Sequence, residues 1–122
     1  MEISFDQFAK VEIKIGKIVA AEKIEGSEKL IKLSIDFGSH GSTDSLQVRT
    51  IVSGVARTYA PEQMTGRQVP VVMNLAPRKI MGIESQGMIL FAIDETLTDG
   101  VLAHKTIMLS PEREVPPGSP VQ

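Results

Sequence analysis

A change of phase in an alternating run near the N-terminus narrows the possible folds more than any other stretch of the chain. Val11, Ile13 and Ile15 alternate with Glu12, Lys14 and Gly16, the period of a half-buried strand. After Lys17 the apolar residues move to the even positions Ile18 and Ala20. A one-residue slip beside a glycine is what a β-bulge produces, and a bulge bends its strand sharply. A long first strand bent in the middle suits a small barrel better than a flat sheet.

The rest of the chain supplies the other staves. Before the bent strand, Ser4 and Gln7 have capping-box spacing and predict a short helix over Phe5 to Lys10, with Phe5, Phe8 and Ala9 on one face. After Gly26-Ser27, Ile31, Leu33, Ile35 and Phe37 share one face of a second strand. Residues Gly38 to Ser45 have loop chemistry, and Leu46 to Ser53 alternate again, so this pair reads as a hairpin with a long tip. Pro61 and Gly66 bracket a short helix, Pro61 to Thr65. Val69, Val71 and Met73 alternate, with Pro70 expected only at an edge or bulge. Met88 to Ile93 reads as a buried strand, Val101 to Leu109 as at least one more, and the Pro-rich tail from Val115 as a turn or extended cap. Five or six strands, a bent first strand and a short helix between the third and fourth give the element order of an all-β OB-fold, a five-stranded Greek-key barrel, here with extra N- and C-terminal elements. An SH3-like barrel matches the strand count but lacks the inserted helix. The expectation is a single domain over residues 1–122.

The side chains available argue against catalysis. With no Cys there is no thiol nucleophile, thiolate metal site or disulfide. His40 and His104 stand alone, in a Gly/Ser loop and a late strand, outside any metal-ligand spacing. Neither a G-x-S-x-G elbow nor a phosphate-cradling P-loop is present. No catalytic residue, metal or cofactor is therefore expected. No export or membrane-spanning stretch is visible either, which gives a soluble cytoplasmic protein as the default.

Charge first argues against nucleic acid, since the net charge is −2 and the pI about 5.7. Counted by segment it reads differently. Residues 46–83 carry Arg49, Arg57, Arg67, Arg78 and Lys79 against Glu62 alone, a net of +4 between two acidic ends. Such a segment can form a basic face, and Arg pairs with phosphate bidentately; a dispersed, solvated set of cations is the plain alternative. Only Phe5, Phe8, Phe37, Tyr59 and Phe91 are aromatic, and most fall where a core is expected. A platform for stacking single-stranded bases is therefore not expected, whereas shape and phosphate recognition of folded RNA remains open. The run from Asn74 to Met88 joins two strands and holds adjacent cations among Asn, Ser, Gln and Gly, as ligand-contacting barrel loops do.

These residues also resemble a known family. Asp6 to Val19, Arg49 to Ala56, Tyr59 to Glu62, Val72 to Met88 and Val115 to Gly118 together resemble the tRNA-binding domain found at the C-terminus of many methionyl-tRNA synthetases and in free-standing relatives. The N-L-x-P-[KR]-K-x-x-G-x-x-S-x-G-M run over Asn74–Met88 carries most of the likeness. The resemblance implies an OB-fold that binds tRNA by shape, is homodimeric when free-standing and is associated with a synthetase. It also implies a ligand pocket lined by Asn74, Arg78, Lys79, Ser85 and Met88, with Arg49 and Lys32 as phosphate contacts on nearby strands. Ile24 to Leu30 departs from the family's usual turn, and the loop from Gly38 looks longer than usual. The export chaperone CsaA is a sister group with the same fold, and implies the alternative of a peptide-binding or dimerisation module. The Ser-x-Gly-Met end kept here favours tRNA.

Overall fold

The computed structural model describes residues 1–39 and 46–122. The elements in chain order are α1 (Phe5–Phe8), β1 (Ile13–Lys23), β2 (Ile31–Ser39), β3 (Leu46–Ser53), α2 (Pro61–Met64), β4 (Gln68–Val72), β5 (Arg78–Ile80), β6 (Ile83–Ser85), β7 (Met88–Ile89), β8 (Phe91–Asp94), β9 (Leu97–Thr98), β10 (Val101–Leu102), β11 (Lys105–Met108) and β12 (Pro120–Val121). The main sheet runs β3-β2-β1-β4-β7, all neighbours antiparallel, with β12 added beside β1. Three consecutive strands followed by one that returns beside the first is a Greek key. The sheet curls into a half-barrel of the OB-like type, with α2 between the third and fourth strands.

β1 is shared between both halves of the sheet, but the phase change seen in the sequence has two causes. Residues Ile13 to Lys17 pair with Val72 to Gln68 of β4, and Lys17 to Lys23 pair with β2. Opposed residues share a face, so Gly16 and Val69 point into the barrel while Ile15 and Pro70 point outward. The outward residues are also buried, because the segment from Leu109 to Val115 lies across them. Burial on both faces thus mimics a slip at Gly16, and the true register irregularity falls between Ile18 and Ala20. Gly16 is required for space. A Cβ there would lie 2.6 Å from Phe37 Cε1 and would also strike Ile35.

The interior follows the β2 pattern closely. Ile31, Leu33, Ile35 and Phe37 are all fully buried and pack with Ile18, Ile51, Val55, Met64, Val69 and Val71. Met64 closes one end of the barrel from α2, which Pro61 starts and Thr65 ends. At about 1.5–3 kcal/mol per fully buried aliphatic side chain, this cluster is the main favourable term in folding.

Several expectations change. Pro70 lies in an interior strand, not at an edge. Ile15 spends its backbone groups on Ser119 O (2.8 Å) and the Gly118 N–H (2.7 Å), so the Ile15–Pro70 pair exchanges no bond. Pro70 therefore faces β7, whose ladder reaches only Val71, and its carbonyl accepts from the Leu90 N–H at 3.0 Å. The strand expected over Met88 to Ile93 breaks at Leu90: β7 ends there as the last strand of the main sheet, and β8 beyond it pairs with β11. Met88 and Ile93 are half-exposed, and Ile89 is its buried member. The loop expected from Gly38 begins later, since β2 continues to Ser39; His40 and the rest of that loop to Ser45 lie outside the described residues. The N-terminal capping box forms as expected, but Phe5 and Phe8 remain exposed, so fewer aromatics are in the core than the sequence suggests. The tail is an extended cap: Val115 exchanges two bonds with the Gln68 amide, at 2.6 and 2.9 Å. Among the described residues no helix is long and apolar enough to cross a membrane.

Candidate functional site

A cleft of about 660 Å³ opens where β3, the β5–β6 hairpin and β7 converge. Its walls are Val52 and Ser53 of β3, Leu75 to Arg78, Ile80, Ser85, and Gly87 to Ile89, with Phe91 beyond. Most of this lining is the run from Asn74 to Met88, so the densest segment of the sequence is the one that builds the cleft. Among the described residues no three His, Asp or Glu side chains come together as a metal-binding group.

The edge of β3 is satisfied by this run through two side chains and one backbone bond rather than by a strand ladder. The Val52 N–H donates to Ser85 Oγ at 3.0 Å, and Thr50 exchanges bonds with Gln86 through Gln86 Oε1 (3.1 Å) and the Gln86 N–H (2.8 Å). Arg49 Nη1 donates to the carbonyls of Met73 (2.7 Å) and Gln86 (3.2 Å). Unpaired strand-edge groups are costly when buried, so these contacts complete the barrel wall. Gly87 permits the tight passage that follows. It has φ +146, and a Cβ there would lie 3.0 Å from Val72 O and 3.2 Å from Val71 Cγ1.

The seven expected site residues therefore fall into two groups. Arg78 and Met88 line the cleft with their side chains exposed. Lys79 is exposed on β5 opposite Glu84, and Lys32 lies across the ladder from the cleft wall residue Val52. Lys32 also holds Glu22 at 3.6 Å. Ser85 lines the cleft but is buried and bonded to Val52. Arg49 and Asn74 bind backbone: Asn74 accepts from the Glu12 N–H at 2.9 Å and donates to Lys10 O at 2.5 Å. Gln86 joins these residues without a signal of its own in the sequence beyond its place in the polar Asn74–Met88 run. The other cations of the basic segment are dispersed. Arg57 pairs with Glu28 at 3.7 Å, and Arg67 reaches Ser110 Oγ at 3.4 Å on a different surface, beside Lys17 and Arg113.

Residues 13–120 match the protein family described as "Putative tRNA binding domain". The chain belongs to this tRNA-binding domain family. It is 47% identical over 120 residues to a methionine–tRNA ligase of Archaeoglobus fulgidus, and 44% identical over 117 residues to one of Methanococcoides burtonii. The matches cover 98% and 96% of this chain but only 16% and 15% of those enzymes. Among solved structures, a MetRS-related protein from Pyrococcus horikoshii superposes with a TM-score of 0.81 at 38% identity, covering the whole of both chains. The chaperone CsaA from Bacillus anthracis, 24% identical, shares the fold with a TM-score of 0.78 over the full length of both. The cleft-forming run lies inside the region that defines this tRNA-binding domain, and so does the β3 edge it completes.

Proposed function

We propose that this tRNA-binding domain is a noncatalytic module that binds folded tRNA at the β5–β6 hairpin and its cleft, by shape and phosphate contact. The observation that carries the reading is the hairpin itself, which presents Arg78 into the cleft and Lys79 on its other face. Arg78 and Lys79 neutralise phosphates, with Lys32 at the rim. Met88 packs against a ribose or base from the cleft wall. Arg49, Asn74 and Ser85 act from behind, holding the strand edges and the N-terminal segment that frame the hairpin. The module works in the cytoplasm, as part of a methionyl-tRNA synthetase or as a free-standing protein, and raises the local concentration of tRNA.

Self-association into a homodimer belongs to the same reading. Ile3 and Phe5 near the N-terminus and Leu97, Val101 and Leu102 in the β9–β10 hairpin are all more than half exposed. Exposed apolar residues gathered on two short segments are what a dimer interface covers. A peptide-binding role of the CsaA kind is the second reading, favoured by the apolar side chains Leu75, Ile80, Ile89 and Phe91 around the cleft. Replacing both Arg78 and Lys79 by Ala discriminates between them. The double variant is expected to bind tRNA at least ten-fold more weakly, as losing two charged contacts requires. Unchanged tRNA binding, with capture of an unfolded client instead, would replace the first reading by the second.

A further inference from the structure

Met81 sits at the tip of the β5–β6 hairpin in a conformation its side chain disfavours. Ile80 pairs with Ile83, so Met81 and Gly82 form a two-residue connection, with φ of +50 and +79. A connection of this kind needs positive φ at both central residues, for which Asn, Asp and Gly are the suitable types. Among the described residues one other non-glycine has positive φ, Asp99, and it stands in an Asp-Gly pair that fits that rule. Met81 does not fit it, and no core packing holds it there, since its side chain is 53% exposed. A Cβ on Gly26, in the turn between β1 and β2, would lie 3.6 Å from Met81 Cε, so the thioether rests over a position that has no side chain.

We propose that Met81 is a ligand-contacting residue: an apolar shelf, next to the Gly26 turn and near Arg78 and Lys79 in the hairpin, that receives the face of an unstacked nucleobase of a folded RNA. This rests on the tRNA-binding reading above. A polarisable, unbranched thioether makes favourable contact with aromatic faces without demanding one geometry. Unpaired bases in loops and ends are the parts of a folded RNA that present such faces. The shelf adds contact without adding charge, which separates it experimentally from its cationic neighbours.

The test compares Met81→Asn and Met81→Gly with the unaltered chain, using total tRNA and a blunt RNA duplex as probes. Both variants suit the left-handed backbone and so keep or raise the melting temperature. The expected result is a loss of about five-fold in tRNA affinity. The slope of affinity against salt should stay unchanged, and so should duplex binding. Affinity for tRNA within two-fold of the unaltered chain in both variants would overturn the shelf alone. An unaltered chain that binds no tRNA would overturn the tRNA reading and the shelf with it.

Discussion

Ser85→Ala tests whether the cleft and the barrel wall are one construction. The Ser85 hydroxyl accepts the Val52 N–H at 3.0 Å, and both residues are more than nine-tenths buried. Alanine fits the space but leaves a buried donor without its partner, a cost of about 1–3 kcal/mol. The lower half of that range applies, because Ser85 and Val52 also line the cleft and lie near solvent. A loss of about 1.5 kcal/mol in a chain of this size lowers the melting temperature by about 6 °C. Thermal and urea unfolding followed by circular dichroism would measure it, with an unchanged denaturant slope showing that only stability has moved. Met88→Ala is the control. Its side chain is half-exposed in the same cleft, so its stability should stay within about 0.5 kcal/mol of the parent. A Ser85→Ala melt indistinguishable from the parent would refute the wall-closing role and leave Ser85 as a surface group of the cleft.

Two further substitutions probe positions where geometry leaves little freedom. Gly16→Ala drives a methyl into Phe37 and Ile35, and the overpacking is expected to cost at least about 1–3 kcal/mol in denaturant unfolding. Asn74→Ala removes both bonds to the N-terminal segment. Hydrogen exchange at the Glu12 amide should speed up by about five-fold or more, the equivalent of roughly 1 kcal/mol, while the β2 amides keep their protection.

The sheet was legible wherever one face is buried and the other is not. In β2 the alternation from Ile31 to Phe37 marks every inward residue correctly. It misleads in β1, where the tail covers the outer face and makes both parities apolar, hence the misplaced bulge at Gly16; the interior Pro70 is unexpected because nothing local shows that the β7 ladder stops at Val71. Local chemistry was legible where it is self-contained, as in the Ser4–Gln7 capping box. The cleft segment was legible from its concentration of cations, amides and glycines. The division of labour inside it was not, because it depends on partners far away in sequence. Arg49 reaches Met73 and Gln86, and Asn74 reaches Lys10 and Glu12, and nothing local signals those contacts. A cation on an alternating strand reads as a free charge until the carbonyls it binds are known.

In the proposed mode of binding, folded RNA is held at the hairpin by the charges of Arg78 and Lys79. The most direct test is the salt dependence of tRNA affinity, compared between the parent chain and the double Arg78→Ala, Lys79→Ala variant. Each phosphate contact contributes about 0.7–0.9 to the slope of log affinity against log salt. The predicted result is a steep fall for the parent and a slope shallower by about 1.4–1.8 for the variant. A flat response in the parent, or equal slopes in both, would contradict it.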